Sequence, residues 1–290
     1  MEELGTLYRH LASDLAIAQR DFPGDRVLLY LNQLFARAHA QVYRGSAGAW
    51  RRIARFFLAE FPQVYRAHLP FILTSAVLFF LPGLIAFFGV QANADLEAAL
   101  VQPRLAELIK RQEMWTEIPG LVRPLASSFI MTNNIQVAFL AFAGGALLGL
   151  GSAYVLIFNG LHLGGVAGLC HQYGLSLPLW SFVAPHGAIE LTVIVIAGGA
   201  GLMLGWALLS PGLRSRPDAL SVVGGQAAKL LVGCVPLLII AGTIEGFISP
   251  SSLMVELKFA IGALTGVALH LFLLLAGRTP TRPRGAPVAL

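Results

Sequence analysis

The sequence has few charged residues and almost no cysteine. Only 12% of its 290 residues are charged, whereas a soluble domain carries about a quarter. Together with 56% hydrophobic residues and a mean hydropathy of +0.72, this scarcity excludes an ordinary soluble domain. Cys170 and Cys234 are the two cysteines, and both lie in apolar runs, so the sequence does not indicate a disulfide framework.

Two further signals are missing. The first 25 residues are amphipathic and lack a basic region followed by an apolar one, so no cleaved signal peptide is expected. The net charge is +5, but the basic residues flank apolar segments and form no recognisable nucleic-acid-binding module. We therefore expect the lipid bilayer, and no nucleic acid, as the partner of these basic residues.

Long apolar runs dominate the rest of the chain. A helix of about 20 residues crosses the hydrocarbon core of a bilayer. The sequence therefore predicts an all-α, polytopic transmembrane helical bundle over residues 69–276 with about six spans, one of them, 160–173, being short or re-entrant. The predicted spans lie near 69–90, 133–158, 160–173, 185–209, 222–243 and 253–276.

The segments outside these spans differ in character. Residues 1–68 show helical apolar spacing with a break at Phe22-Pro23-Gly24, which predicts a cytoplasmic helical hairpin. The last part of this region, within WRRIARFFLAEFPQVYRAHLP, suits either an interfacial helix at the lipid headgroups or a soluble helix packed on the hairpin. The extracytoplasmic loop 91–132 is expected to form short amphipathic helices, and 277–290 to be a disordered basic tail.

The distribution of lysine and arginine orients the predicted bundle. With six spans, fourteen basic residues fall in segments on the side of the termini, and four fall in the loop 91–132. Because cytoplasmic segments are enriched in basic residues, we expect a multi-pass protein of the inner (plasma) membrane with both termini in the cytoplasm.

Glycine pairs at a spacing of four recur along the apolar segments. Small residues at this spacing let transmembrane helices approach closely, so they are predicted to form packing surfaces and to allow a homo-oligomer. No phosphate-binding loop is indicated, and no cofactor is expected. The predicted packing glycines are Gly145, Gly149, Gly160, Gly164, Gly168, Gly201, Gly205, Gly262 and Gly266.

A few polar residues interrupt the apolar segments, and each needs an explanation because ionisable groups in a membrane are costly. His186 and Glu190 share one helix face, near the predicted helix start at Pro185. The predicted six-span topology places Asn133, Asn134 and Glu245 at the same outer depth. We expect these five residues to form a polar collar, in which side chains satisfy one another; no catalytic residue and no metal ligand is assigned.

Three stretches together resemble one protein family. They are FIMTNNIQVAFLAFAGGALLGLGSAYVLIFNGLHLGGVAG, PHGAIELTVIVIAGGAGLMLGWALLSPG and AGTIEGFISP, in that order. They resemble the stage II sporulation protein M (SpoIIM) family of bacterial and archaeal membrane proteins. In spore formers the namesake acts as a membrane scaffold for proteins that remodel peptidoglycan, and many members are encoded near an AAA ATPase of the MoxR type.

The resemblance implies a non-enzymatic scaffold that organises other envelope proteins. Two alternatives remain open from the residues themselves. A transporter or channel would use a polar site around Glu190 and Glu245, beside glycine-rich helices. An intramembrane metal-dependent hydrolase would use His186 and Glu190 as ligands or as an acid–base pair.

The predicted topology is tested with a tag at each terminus. Protease access in right-side-out and inverted membrane vesicles is expected to be the same for both tags, because six crossings return the chain to its starting side. Opposite exposure of the two tags would contradict an even number of spans.

Overall fold

The computed structural model describes residues 2–42, 46–114 and 123–278, and the side chains of 6–38, 48–114 and 132–278. Most of the predicted disordered tail, 279–290, lies outside the described residues. The described residues are helical and contain no strand, so the all-α prediction is confirmed. The helices are α1 (Glu2–Asp21), α2 (Arg26–Val42), α3 (Ser46–Arg55), α4 (Phe61–Ala67), α5 (Leu69–Ala92), α6 (Ala94–Leu100), α7 (Pro103–Lys110), α8 (Arg123–Ala143), α9 (Leu150–Gln172), α10 (Ser176–Leu209), α11 (Arg216–Phe247) and α12 (Val255–Leu275).

The chain divides into two compact units, Met1–Leu58 and Ala59–Leu290. In the first unit, α1 and α2 form an antiparallel hairpin. The rings of Tyr8 and Phe35 stack across it with centroids 5.0 Å apart. In the turn, the Asp25 carboxylate accepts a hydrogen bond of 2.9 Å from the Val27 amide, which stabilises the start of α2.

The second unit is a bundle of long apolar helices. Five helices of the described residues are long and apolar enough to cross a membrane, namely α5, α9, α10, α11 and α12. Helix α8, with 21 residues, is the sixth long helix of this unit. Helix α10 is central, because 72% of its most apolar segment is buried inside the bundle, compared with 22% of the corresponding segment of α5. The chain is therefore a multi-pass membrane protein with about six spans.

Contacts between helices give their directions. Gly160 and Gly164 of α9 meet the backbone of Phe79 and Gly83 in α5, so these two helices run parallel. By the same kind of evidence, α10 runs antiparallel to α9 and α11, and parallel to α8 and α12. The six helices thus alternate in direction. We call the end where α5 starts and α12 ends the terminal end, and the end carrying α6 and α7 the loop end.

One predicted span is wrong. The segment 133–158 is not a single helix, because α8 ends at Ala143 and α9 begins at Leu150. Between them Leu148 and Gly149 have positive φ values of 55° and 83°, and the chain reverses. The residues 160–173 are consequently not a separate short or re-entrant segment. They complete α9, which has 23 residues and is long enough to cross the membrane by itself.

A second difference concerns the start of α10. The sequence places it at Pro185, whereas the helix begins at Ser176 and contains Pro185 in its interior. The extra residues pack against α6, α7 and the end of α9 in a hydrophobic cluster at the loop end. This packing compensates for the backbone hydrogen bond that proline removes. The cluster comprises Val101, Ala106, Ile109, Val166, Ala167, Leu169, Cys170, Leu175 and Leu179.

The loop between α5 and α8 contains ordered helices in its described part. Helices α6 and α7 are joined by a salt bridge in which Lys110 Nζ lies 2.6 Å from Glu97 Oε1. The Glu97 carboxylate raises the pKa of Lys110 by accepting this hydrogen bond. Ile109 of α7 is fully buried in the loop-end cluster. These short helices are therefore docked on the bundle.

The short helix α4 packs on the bundle itself. Phe61 is 1% exposed and lies against Gly233 of α11, where a Cβ would overlap the phenyl ring. Arg66 Nη1 donates a hydrogen bond of 2.8 Å to the Leu273 carbonyl of α12. Burial also raises the pKa of Tyr65. Residues 61–67 thus pack on α11 and α12 within the second unit, and their position relative to the lipid headgroups stays a prediction.

Glycine makes the closest helix contacts. A Cβ on Gly160, Gly164 or Gly168 of α9 would overlap a backbone carbonyl of α5. Gly145 and Gly149 of the α8–α9 connection lie against Gly201 and Gly205 of α10. On the other side of α10, a Cβ on Gly262 of α12 would overlap the Ala184 carbonyl, and one on Gly266 would lie 3.1 Å from the Ala188 Cβ. All nine predicted packing glycines thus face a neighbouring helix or its connection.

Substitution Gly164→Ala is expected to destabilise the bundle by about 1–3 kcal/mol, because the new methyl group would overlap the Gly83 carbonyl. The matched control is Gly225→Ala in α11, where a Cβ meets nothing within 4 Å. Removing that glycine is expected to raise helix stability by up to about 1 kcal/mol. Thermal unfolding in detergent measures both variants. Equal effects of the two substitutions would contradict the close approach of α5 and α9.

Candidate functional site

Three ionisable side chains of the predicted collar lie together inside the bundle. His186, Glu190 and Glu245 are 4%, 7% and 1% exposed. His186 lies ten residues after the start of α10, which corresponds to about 15 Å along the helix. The sequence expectation that His186 and Glu190 lie in the first turns of a helix is therefore wrong. They occupy the interior of α10, opposite the end of α11.

His186 connects α10 to the α11–α12 link. Its Nδ1 is hydrogen-bonded to Ser249 Oγ at 2.8 Å, between buried groups. The Ser249 backbone carbonyl in turn accepts a hydrogen bond of 2.7 Å from Lys258 Nζ. Ser249 and Lys258 are 1% and 8% exposed. This chain of contacts ties three helices together at one level.

Glu190 connects α10 to α8. The Asn134 side-chain amide donates a hydrogen bond to the Glu190 carboxylate. His186 Nε2 lies 3.8 Å from Glu190 Oε2, which is longer than a hydrogen bond. Asn133, the other asparagine of the predicted collar, is exposed. Both asparagines lie in the middle of the α8 sequence. Only Asn134 faces this cluster, since Asn133 points away from it.

Glu245 differs from Glu190 and His186 in its hydrogen bonding. Neither of its carboxylate oxygens has one among the described residues, although the side chain is almost completely buried. Glu190 lies level with it on the adjacent helix, because α10 and α11 are antiparallel and His186 pairs with Ser249. We call the group of Asn134, His186, Glu190, Glu245, Ser249 and Lys258 the polar cluster.

Sequence reasoning missed two members of this cluster. Lys258 is not among the predicted site residues, although a lysine near the start of a mostly apolar helix is itself a signal. Ser249 stands in the sequence FISPSS, where its role resembles that of any turn serine. Its contact with His186 depends on the antiparallel packing of α10 and α11 and could not be derived from spacing.

The donor set does not favour a metal centre. In the part of the chain that the structure describes, no three His, Cys, Asp or Glu side chains lie close enough to hold a metal ion. One imidazole nitrogen of His186 is already bonded to Ser249. The arrangement can instead pair charges and hold helices in register, and it can accept a proton on a carboxylate.

Comparisons with known proteins agree with this architecture. A sequence model of a family described as stage II sporulation protein M matches residues 75–250, which is more than half of the chain. A second model, described as a domain of unknown function, matches residues 1–44. An uncharacterized protein of Methanocaldococcus jannaschii is 31% identical over 123 residues, covering 42% of this chain and 69% of that protein. No solved structure matches significantly. None of these descriptions indicates catalysis.

Substitution Ser249→Ala is expected to lower the free energy of unfolding by about 1–3 kcal/mol, because it leaves a buried imidazole nitrogen without its partner. The protein offers a matched control, since His171 Nδ1 lies 3.1 Å from Ser176 Oγ in an exposed pair. There Ser176→Ala is expected to change stability by less than about 0.5 kcal/mol. Unfolding in mixed micelles measures the stability of both variants. Equal losses in the free energy of unfolding would contradict a sealed polar cluster.

Proposed function

Because this chain belongs to the stage II sporulation protein M family, we propose that it is a non-enzymatic membrane scaffold that organises other envelope proteins. The observation that carries the proposal is the exposed apolar surface of the α1–α2 hairpin. Leu7, Val27, Leu29 and Tyr30 are 53–65% exposed. The two helices of a hairpin bury only the apolar side chains that face each other, so these four remain exposed. Exposed apolar surface of this kind marks binding sites.

The bundle supports a scaffold role by its packing. Its helices touch through glycine backbones, and the ionisable side chains of the polar cluster are less than 10% exposed. A platform that holds partners in place needs such a fixed arrangement more than it needs a cleft. The second unit supplies the membrane anchor, and the hairpin supplies a separate compact surface for binding.

The proposed setting follows the charge distribution. We infer that both termini face the cytoplasm and that the membrane is the inner (plasma) membrane, since fourteen basic residues fall on the side of the termini and four in the loop. The partners are then cytoplasmic proteins at the hairpin, such as a MoxR-type ATPase encoded nearby, and peptidoglycan-remodelling proteins at α6 and α7. A sporulation role applies only if the source organism forms spores.

One observation favours a second candidate function, a transporter or channel. Glu245 is a buried carboxylate without a hydrogen-bonding partner among the described residues, and transporters place such groups on ion pathways. The purified protein in liposomes would then show ion flux that Glu190→Gln abolishes. If the protein is a scaffold, liposomes with the natural protein and liposomes with Glu190→Gln would show the same background leak.

The scaffold proposal is tested by site-specific photo-crosslinking in the native host. A photoreactive residue at Leu29, which is 65% exposed on the hairpin, is expected to give discrete protein adducts. The matched control is the same residue at Phe80, which is 49% exposed on the apolar helix α5. That position is expected to react with lipid only.

Mass spectrometry of the adducts identifies the partners. The proposal predicts one or a few envelope-associated proteins at Leu29 that are absent at Phe80. Failure to obtain any protein adduct at Leu29, or the same adducts at both positions, would contradict a scaffold that binds through its hairpin.

A further inference from the structure

The pair formed by Glu190 and Glu245 has a property that neither a scaffold nor a simple packing role requires. Glu190 is 7% exposed and Glu245 is 1% exposed, and they come from two different helices. The antiparallel register that pairs His186 with Ser249 also brings Glu190 level with Glu245 on the adjacent helix. Two like charges at such a buried position are mutually destabilising, because burial removes most of the water that would solvate them.

The two carboxyl groups differ in their hydrogen-bond donors. Glu190 receives a hydrogen bond from the Asn134 amide, and such a bond stabilises an ionised carboxylate. Glu245 receives none from the described residues. Burial disfavours the ionised form of both carboxyl groups, and the Asn134 amide offsets part of this effect at Glu190. No hydrogen-bond donor of the described residues does so at Glu245, so Glu245 is the better of the two to hold a proton.

The nearby titratable and charged groups of the described residues do not neutralise Glu245. On α10, His186 bonds Ser249 through Nδ1 and has its Nε2 3.8 Å from Glu190 Oε2. On α12, Lys258 donates to the Ser249 carbonyl. On α8, the described neighbour is the uncharged Asn134. On α10, one helical turn beyond His186, the described acidic group level with Glu245 is Glu190.

We propose that Glu190 and Glu245 form a proton-binding site in which Glu245 carries the proton and Glu190 remains the carboxylate. Protonation leaves one negative charge on the pair instead of two, and it gives Glu245 a donor in place of a repelling charge. The ligand is a proton, and the site binds it without any metal. The inference does not depend on the scaffold role.

The position of the site connects it to one side of the membrane. Glu245 lies two residues before the end of α11, at the loop end of the bundle. Release of its proton would place a second negative charge between α10 and α11. The packing of these two helices is therefore strongest when the site holds its proton.

Infrared spectroscopy of the full chain in lipid nanodiscs tests the assignment. A protonated carboxylic acid has a carbonyl band distinct from that of a carboxylate, and the band shifts in D₂O. We expect this band at neutral pH in the natural protein and in Glu190→Gln, and its loss in Glu245→Gln. The control is Glu256→Gln, since Glu256 is an exposed carboxyl in the first turn of α12; the band is expected to remain.

Stability provides an independent measurement. A proton bound in the folded state and released on unfolding makes stability fall as pH rises, with the unfolding constant increasing up to about tenfold per pH unit. We expect this dependence in the natural protein and its reduction in Glu245→Gln. The proposal would be overturned if the acid band were absent, or if it persisted in Glu245→Gln. It would also be overturned if Na⁺ stabilised the protein while the band was absent, because that result would indicate a cation bound to an ionised pair.

Discussion

The structure depends on one constraint, which is that polar groups inside a bilayer have no water to satisfy them. In this protein the constraint is met where α8, α10, α11 and the start of α12 approach one another. Asn134, His186 and Ser249 supply hydrogen-bonding groups there. The remaining helices pack through glycine backbones, so that nearly every other buried residue can be apolar. The polar cluster thus fixes the relative positions of helices that the lipid alone would not order.

Close backbone contact and polar pairing support each other. Gly262 allows α12 to reach the backbone of Ala184 in α10, and this contact lies beside His186 and Ser249. Without hydrophobic force between helices in lipid, such contacts and interhelical hydrogen bonds are the main sources of specificity. Among the described residues, the buried side-chain oxygens of Ser75, Ser152 and Glu245 have no hydrogen-bond partner. Glu245 is the ionisable one of the three, and departures of this kind concentrate at functional sites.

Much of the fold could be predicted because hydropathy and helix length are local properties. The predicted start of α5 and the predicted extent of α12 agree with the structure to within a few residues. The turn between α8 and α9 was missed because Gly145 and Gly149 were interpreted as packing residues. They do pack against α10, but Gly149 also reverses the chain. A glycine that serves both purposes has no separate sequence signal.

The candidate site was less predictable, because its contacts depend on tertiary packing. Pro185 suggested a helix start, since proline favours the first turn, yet packing at the loop end extends α10 to Ser176. That extension moved His186 and Glu190 from a helix end to its interior. The pairing of Asn134 with Glu190, and the exposure of Asn133, depend on the rotation of α8 about its axis. No pattern along the chain determines that rotation.

The central claim is that the polar side chains form a closed cluster, in which Glu245 is enclosed without a hydrogen-bonding partner among the described residues. An electron cryomicroscopy structure in lipid nanodiscs tests it most directly. The account predicts continuous contacts from Asn134 to Glu190 and from His186 to Ser249, with Glu245 enclosed between α10 and α11. It would be contradicted by these side chains facing lipid at separate positions, or by their lining a water-filled cavity open to either surface.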